Sequence, residues 1–298
     1  MKKTCILITG PTAVGKTALA IEIAEHFSTN IISADSRQCY RELNAGVAKP
    51  SQAELTAIRH YFIDSHSIHD DLSAADYETY ALNAAGEIFG GNDIAVLTGG
   101  TGLYIKAFCE GLDEIPAIYE KVREDIIQDY NKKGLPFLQE SIKKYDQVFY
   151  KSGDIQNPQR MIRALEVVLS TGKPISSYQS KQKKQRDFDI IKICLQLPRE
   201  ELYDRINQRV DQMFEAGLLE EVARLTSFKK YNALQTVGYK ELFDHLDQKI
   251  TLVQATELIK QHTRQYAKRQ LTWFKKDMEY KYCEPAKEEV LKLIDVAL

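Results

Sequence analysis

The chain has 298 residues, 44% of them hydrophobic and 28% charged, so it can build a large core without disulfide bonds. Its formal net charge of −2 excludes a uniformly basic nucleic-acid-coating protein, and any nucleic-acid surface must be local. The 5 cysteines are odd in number and show no C-x-x-C spacing, which predicts neither a disulfide framework nor a zinc site and favours a reducing cytoplasm. No apolar run is long enough to cross a membrane.

The strongest motif follows a short apolar run at residues 5–8, which predicts a buried parallel strand. The next residues read GPTAVGKT, fit G-x-x-x-x-G-K-[ST], and lead into a helical pattern. In such a P-loop, backbone N–H groups and the helix N-terminus bind phosphate, Lys16 reaches the terminal phosphates, and the Thr17 hydroxyl holds Mg²⁺. We predict a site for a chain of phosphates formed by Gly10, Pro11, Thr12, Ala13, Val14, Gly15, Lys16 and Thr17.

Polar or glycine-rich segments follow two further predicted strands, at residues 30–34 and 93–98. Asp35 comes directly after the first strand, and Gly-Gly-Thr-Gly at 99–102 comes after the second. Because ligands of open parallel sheets bind beyond the carboxyl ends of the strands, we expect Asp35 near the P-loop. The sequence alone leaves three roles open for this carboxylate: a ligand that holds a metal directly or through water, a catalytic base, or the cap of a turn.

Strand patterns give way to charged helical segments near residue 115 and return at 189–197. We therefore predict an α/β fold, a P-loop NTPase-like core with a parallel sheet that carries an all-helical insertion domain. The predicted core consists of residues 1–114 and 188–298, and the predicted insertion of residues 115–187.

Basic side chains are grouped in three places. Arg160 and Arg163 are neighbours at helical spacing, and Arg205 and Arg209 share a helix face. Residues 260–281 contain many more basic than acidic side chains, with aromatic residues interleaved, as an RNA-binding surface requires. A solvated helix face explains the arginine pairs equally well, and a basic helix that packs its aromatics inward explains the C-terminal segment.

Seven sequence blocks occur in order: GPTAVGKT, SADSRQCY, AGVAKP, LTGGTGLYIKA, NPQRMIRALEV, VGYKE and TRQYAKRQLTWF. Together they resemble the bacterial tRNA dimethylallyltransferase (tRNA isopentenyltransferase) family over about residues 3–280. The resemblance implies transfer of a dimethylallyl group from dimethylallyl diphosphate to N6 of the adenosine at position 37, beside the anticodon. It also implies that the P-loop holds the donor's diphosphate with Mg²⁺ and that the helical domain closes on the anticodon stem-loop. We expect a cytoplasmic monomer without a protein partner.

The resemblance also implies roles for single residues. Asp35 becomes the general base, and Thr101 contacts the target nucleotide. Arg123 and Arg209 stabilise the departing diphosphate, and Gln38 offers a donor and an acceptor to a base edge. The expected tRNA contacts are Asp35, Ser36, Arg37, Gln38, Thr101, Arg123, Gln159, Arg160, Met161, Ile162 and Arg163.

Two other enzyme classes remain as alternatives. A small-molecule kinase of the adenylate-kinase type would use the P-loop for ATP and the helical insertion as a lid. A close relative of the resembled family would prenylate free adenine nucleotides. The Asp35 block and the basic C-terminal segment weigh against the kinase, and the NPQRMIR and AKRQ blocks weigh against a free-nucleotide acceptor. Val47, where the family usually carries threonine, and Arg37 depart from its pattern and put acceptor recognition in question.

Overall fold

A single parallel sheet organises the fold. The computed structural model describes residues 2–180 and 182–298. In this part of the chain, six strands pair in the order β3-β2-β4-β1-β5-β6, and every pairing is parallel. The strands are β1 Thr4–Thr9, β2 Ile31–Ala34, β3 His60–Tyr61, β4 Ile94–Gly99, β5 Asp189–Leu195 and β6 Lys281–Cys283.

The central strands β1, β2 and β4 are buried along their whole length, which is why their sequences are continuous apolar runs rather than alternating patterns. Their register brings three segments together. Thr9 and Ala34, which end β1 and β2, both pair with Gly99 at the end of β4. The loops that follow these three strands therefore begin side by side at one edge of the sheet.

Helices occupy most of the remaining described chain, and none of them is long and apolar enough to cross a membrane. Short 3₁₀ helices lie at Ala45–Val47, Ile175–Tyr178, Thr226–Phe228 and Asn232–Leu234. The α-helices are α1 Lys16–His26, α2 Gln52–Ala57, α3 Ala74–Phe89, α4 Gly102–Glu110, α5 Glu120–Lys133, α6 Leu135–Tyr145, α7 Gln147–Ser152, α8 Pro158–Thr171, α9 Arg199–Glu215, α10 Leu218–Arg224, α11 Tyr239–Leu246, α12 Leu252–Phe274 and α13 Lys287–Asp295.

The described chain forms two compact units. The core unit comprises the described residues up to Glu110 together with Gln185–Leu298, and it contains the sheet. The helical unit is Gly111–Lys184, which contains α5 to α8 and packs around its own apolar cluster, including Leu138 and Leu165. Division into a sheet-containing core and a helical segment was predicted, with boundaries at 114/115 and 187/188.

Sequence and structure agree on the α/β fold class. The short elements that were not predicted include α2, α7 and β6. Helix α7 has only six residues, and strand β6 has only three partly buried residues at the edge of the sheet. Helix α8 has a clear signal at each end. The Asn157 side chain accepts a hydrogen bond from the N–H of Arg160, and Gly172 ends the helix in the left-handed conformation.

Candidate active site

The loop between β1 and α1 has the backbone conformation of a phosphate-binding nest. Gly10 and Gly15 have positive φ angles of 146° and 103°, and a Cβ on Gly10 would lie 2.7 Å from the carbonyl oxygen of Leu195. Ala13 also adopts a positive φ, of 65°. Within the described chain, the N–H groups of Ala13, Gly15, Lys16 and Thr17 donate no hydrogen bond. These donors at the start of α1 are therefore available to an anion.

A cavity of about 320 Å³ lies against this loop and the facing side of α9. Arg205 and Arg209 both line it. Arg205 is bound to Glu201 at 2.8 Å, whereas the Nε atom of Arg209 is buried and has no hydrogen-bond partner in the described chain. Burial lowers the pKa of Arg209, and the charge of Asp35 opposes that shift. Arg209 is thus a partly desolvated cation that an anion would stabilise.

Lys16 interacts with the charges of both Arg209 and Asp35. Its Nζ donates to the carbonyl oxygen of Pro11 at 2.8 Å. Burial, and secondarily repulsion from Arg209, lowers the pKa of Lys16 to about 8, while Asp35 acts in the opposite direction. An anion bound beside Lys16 and Arg209 would raise the pKa of Lys16 again, because it favours the charged form.

Asp35 caps the turn that follows β2. Its Oδ1 accepts hydrogen bonds from the N–H groups of Arg37 at 2.8 Å and Gln38 at 3.3 Å. Its second oxygen, Oδ2, accepts no hydrogen bond in the described part of the chain. The cap and the catalytic base are therefore compatible roles, because one oxygen fixes the carboxylate and the other can meet a substrate.

Thr101 connects the ends of β2 and β4. Its Oγ1 accepts a hydrogen bond from the N–H of Ser36 at 3.0 Å, and its own N–H donates to the carbonyl oxygen of Ala34 at 3.1 Å. A Cβ on Gly99 would lie 2.3 Å from that same carbonyl oxygen, so glycine is required for the two strand ends to approach so closely. Thr101 is held at the edge of the sheet beside the turn that contains Asp35.

A second cavity, of about 600 Å³, shares Arg209 with the first and also reaches Thr12 of the P-loop. Asp35, Ser36, Arg37 and Arg209 line it, together with side chains of α11 and α12 such as Tyr266. Since Arg209 lines both cavities and Asp35 lines the second, the core unit places a phosphate-binding loop beside a chamber that contains a carboxylate.

Two residues that sequence reasoning missed hold this site in shape. The Gln270 amide on α12 accepts from the N–H of Thr12 and donates to the carbonyl oxygen of Gly100. The buried Glu221 carboxylate on α10 accepts from the backbone N–H groups of residues 44–46. Gln270 lies in one of the quoted blocks, but its buried position is set by contacts distant in sequence.

Burial argues against three of the predicted tRNA contacts. The Gln38 side chain is buried, and its Nε2 donates to the carbonyl oxygens of Val47 and Ala48, so its amide anchors a loop instead of facing a base. Met161 and Ile162 lie in the apolar core of the helical unit, 0% and 4% exposed. Their positions follow from the amphipathic pattern of α8, which points these side chains inward.

The remaining polar residues of this segment lie at the surface of the helical unit. Gln159, Arg160 and Arg163 line a cavity of about 850 Å³. The buried Glu166 carboxylate accepts from Arg163 at 3.3 Å and from Arg123 at 2.6 Å, and so fixes two guanidinium groups whose outer faces are exposed. The predicted role of Arg123 at the diphosphate stays a prediction.

The residues at the P-loop fit a magnesium ion held mainly by a substrate. Among the described residues, no group of three or more His, Cys, Asp or Glu side chains could hold a metal. Thr17 lines the P-loop cavity, and no described residue forms a hydrogen bond with its hydroxyl group. In the P-loop motif the hydroxyl at this position binds Mg²⁺ together with substrate phosphates and water, and the Thr17 hydroxyl fits that role.

The fold and the site together define a P-loop protein in which a parallel sheet presents a phosphate-binding loop, an arginine and a carboxylate at one edge. More specifically, the chain belongs to the IPP transferase family, whose model matches residues 38–277. A tRNA dimethylallyltransferase of Christiangramia forsetii is 48% identical over 95% of this chain and 94% of its own length. The tRNA dimethylallyltransferase 1 of Bacteroides thetaiotaomicron is 45% identical over 98% of this chain and 95% of its own length.

Solved structures show the same architecture. The full-length tRNA isopentenylpyrophosphate transferase of Bacillus halodurans superposes with a TM-score of 0.72, at 33% identity, over 99% of this chain and 96% of that protein. A eukaryotic dimethylallyltransferase, whose structures were determined as it acts on tRNA, gives a TM-score of 0.74 at 28% identity, over 91% of this chain and 69% of the other. These similarities confirm the resemblance and the α/β fold predicted from sequence.

Proposed function

We infer that this protein transfers a dimethylallyl group from dimethylallyl diphosphate to N6 of the adenosine at position 37 of tRNA, as a monomer in the cytoplasm. The observation that carries this function is the junction at Arg209, where a phosphate-binding loop adjoins a chamber containing the Asp35 carboxylate. The donor supplies a diphosphate for the loop and the acceptor supplies an amine for the carboxylate. The family to which the chain belongs and the names of its relatives support the same reaction.

The proposed reaction is a displacement at the allylic carbon of the donor. The N6 lone pair forms the new C–N bond as the C–O bond to diphosphate breaks, and the bond's electron pair leaves with the diphosphate oxygen. One proton passes from N6 to Asp35. Since the amine lone pair is delocalised into the adenine ring, the enzyme gains most by orienting the amine and stabilising the leaving group.

The leaving group meets several positive groups. Lys16, Arg209 and the open N–H groups at the start of α1 line or adjoin the phosphate cavity, so charge that develops on the bridging oxygen is stabilised there. Mg²⁺ held by Thr17 and the donor's phosphates would supply further Lewis-acid stabilisation of the diphosphate.

The acceptor base must leave its stack to reach this chamber. The cavity of about 600 Å³ has room for a purine, and Asp35 lies in its lining. Thr101 is fixed beside the Asp35 turn through the N–H of Ser36. We therefore propose that Thr101, Ser36 and Arg37 contact the extruded nucleotide while Asp35 orients its amine.

The helical unit supplies the second part of the proposed tRNA surface. Arg163, Arg123 and Arg160 present partly exposed guanidinium groups, and Glu166 fixes the first two. Guanidinium groups held in this way suit the phosphates of an anticodon stem-loop, and the exposed Gln159 can add a neutral contact.

If Arg160 and Arg163 bind phosphates, replacing both with glutamine should weaken tRNA binding and flatten its salt dependence. Each lost phosphate contact reduces the slope of log K against log salt by about 0.7 to 0.9, because fewer counterions are released. Fluorescence anisotropy with a labelled anticodon stem-loop at several salt concentrations measures this slope. Replacing the exposed Lys144 of the same unit serves as the control. A slope in the double variant equal to the wild-type slope would mean that the two arginines only form a solvated face.

Donor affinity should fall as pH rises above about 8, because the pKa of Lys16 is lowered to about 8 in the protein. Below that pH, Lys16 is already charged and the donor binds without taking up a proton. Above it, Lys16 is neutral and regains a proton when the diphosphate binds, so the apparent Kd should rise by about tenfold per pH unit. The donor's phosphates are already ionised in this range.

Calorimetric titration with dimethylallyl diphosphate between about pH 7 and pH 9.5 measures this dependence. Lys16→Arg retains the charge throughout the range and should show a flat profile. A wild-type affinity independent of pH would show that Lys16 does not bind the diphosphate as the charged group.

The function itself is tested by incubating the protein with dimethylallyl diphosphate, Mg²⁺ and an anticodon stem-loop with adenosine at position 37. Mass spectrometry of the digested product should show dimethylallyl-adenosine from the stem-loop and no change in free AMP offered in parallel. Modified AMP with an unmodified stem-loop would move the function to free-nucleotide prenylation. Steady ADP production from ATP without tRNA would instead favour the kinase.

A further inference from the structure

We propose that the ring of Tyr266 is the surface on which the extruded adenine stacks while its N6 amine meets Asp35. This inference rests on the proposed transfer to the adenosine at position 37, and it names the side chain that holds that base. Tyr266 lies on α12, is 37% exposed, and lines the same cavity of about 600 Å³ as Asp35. A base taken out of its stack is commonly held by stacking on an aromatic side chain of the protein.

Only two aromatic rings line this cavity in the described part of the chain, and both belong to α12. They are the imidazole of His262 and the phenol of Tyr266, four residues apart and therefore on one face of the helix. The Nδ1 atom of His262 is hydrogen-bonded to Glu241 at 2.6 Å. Tyr266, in contrast, interacts with both groups expected at the reacting nucleotide, Thr101 and Asp35. Tyr266 is therefore the ring placed for the base that reacts.

Tyr266 is joined to the Asp35 turn through Thr101. The Thr101 hydroxyl interacts with the Tyr266 phenol, and its oxygen accepts a hydrogen bond at 3.0 Å from the N–H of Ser36, the residue after Asp35. Since a stacked purine lies parallel to the ring, its edge lies beside the hydroxyl edge of Tyr266. The exocyclic amine on that edge can then reach the Asp35 oxygen that accepts no hydrogen bond in the described chain.

One face of the ring already carries a cation. The guanidinium of Arg269 lies over the Tyr266 ring, 5.7 Å from its centroid. This contact holds the orientation of the ring, and the base would stack on the opposite face. A ring oriented in advance loses less freedom when the base binds, which favours the bound state.

Tyr266 offers this face as a neutral phenol. Burial of its hydroxyl end, and secondarily the charge of Asp35, raises the pKa of Tyr266 to about 12, while Arg37, Arg269 and the Thr101 hydroxyl act in the opposite direction. The phenol therefore stays protonated at neutral pH and does not compete with Asp35 for the N6 proton.

The test compares Tyr266→Leu with Tyr266→Phe in prenyl transfer to the anticodon stem-loop, with the full chain. Leucine removes the aromatic face, so kcat/KM for the stem-loop should fall by about ten- to a hundredfold, the usual effect of losing one base–aromatic stack. Phenylalanine keeps the face and should stay within about threefold of wild type. Calorimetry should show donor affinity within about threefold of wild type for both variants, because Tyr266 does not line the P-loop cavity in the described chain.

A stem-loop with 2-aminopurine at position 37 reports the stacking without the reaction, because this base has no amine at C6. Its fluorescence rises when the base leaves the RNA stack and falls again when the base stacks on an aromatic ring. At saturating protein, the complex with wild type or with Tyr266→Phe should therefore be dimmer than the complex with Tyr266→Leu. A merely structural role of Tyr266 would not change this signal in that order.

Tyr231→Leu is the matched control. Tyr231 is 39% exposed and packs against Phe228 and His69 instead of lining this cavity. The control should keep wild-type kinetics and fluorescence. If Tyr266→Leu does not fold, Tyr266→Gln, whose polar end can still meet the Thr101 hydroxyl, should show the same losses because it also lacks the ring.

Three results would overturn the inference. Wild-type kcat/KM and fluorescence in a folded Tyr266→Leu or Tyr266→Gln protein would mean that another group, such as the Arg269 guanidinium, holds the base. A Tyr266→Phe protein as impaired as Tyr266→Leu would assign the effect to the hydroxyl group, and an equal loss of donor affinity would assign it to the whole site. A wild-type protein that does not modify the stem-loop would instead refute the proposed function, and the inference with it.

Discussion

Asp35→Asn should reduce the turnover of prenyl transfer by about 10²- to 10⁴-fold and leave the affinity for tRNA within a few fold of wild type. The substituted amide keeps an oxygen that can accept from the N–H groups of Arg37 and Gln38, so the turn after β2 should stay intact. What the variant loses is a group able to take the N6 proton. Single-turnover kinetics with saturating donor and stem-loop isolate this step from binding.

Comparing Asp35→Ala with Asp35→Asn separates the role of Asp35 as a base from its role as a cap. The alanine variant is the one that loses the cap. It removes both functions and should lower stability by about 1 kcal/mol, the usual effect of losing a side-chain cap, whereas Asp35→Asn should melt like the wild type. Asp70→Asn is a suitable control, because Asp70 also accepts a backbone N–H in a surface turn, that of Ser67. An Asp35→Asn enzyme that kept most of its turnover would contradict the assignment of Asp35 as the base.

The parts of the site that could be predicted from the sequence are those formed by residues that are contiguous in the chain. The P-loop motif, the buried strand before it and the helix after it are contiguous. Asp35 directly follows an apolar strand, and Thr101 lies two residues after the end of another. In a parallel sheet, the carboxyl ends of neighbouring strands meet at one edge, so locating the strands was enough to bring these residues together.

The parts that could not be predicted depend on contacts between distant segments. The Gln270 amide meets a residue 258 positions earlier in the chain, and Glu221 accepts from N–H groups about 175 positions earlier. The environment of Gln38 could not be predicted for the same reason, because a polar side chain beside Asp35 can equally face a ligand or fix a loop. Only the position of Val47 and Ala48 decides between these roles.

Arg209→Met should have opposite effects on activity and on stability. Methionine matches the aliphatic part of the arginine side chain and has no charge, so the variant loses the cation that lines both cavities. Removing a charged contact to a developing oxyanion typically costs about 3 kcal/mol in the transition state, so kcat/KM for the donor should fall by about a hundredfold or more. Steady-state kinetics with varied dimethylallyl diphosphate measure this loss.

The free protein should, in contrast, become more stable. The Nε of Arg209 is buried without a partner in the described chain, and burial lowers the pKa of Arg209, so its charge is held there at a cost to folding. Replacing it with an apolar group should raise the melting temperature of the protein without ligands, as expected where an active site keeps a strained or desolvated group for function.

Arg205→Met tests whether any arginine in this cavity behaves in the same way. Arg205 lines the P-loop cavity but is exposed and paired with Glu201, so its loss should change stability little and activity by less than about tenfold. If Arg209→Met lowers the melting temperature, Arg209 stabilises the folded protein and its burial is not a net cost to folding. If Arg209→Met leaves the donor kinetics unchanged, the charge of Arg209 does not stabilise the departing diphosphate. The combination of higher stability and lost activity is expected only if Arg209 is placed in the core unit for the departing diphosphate.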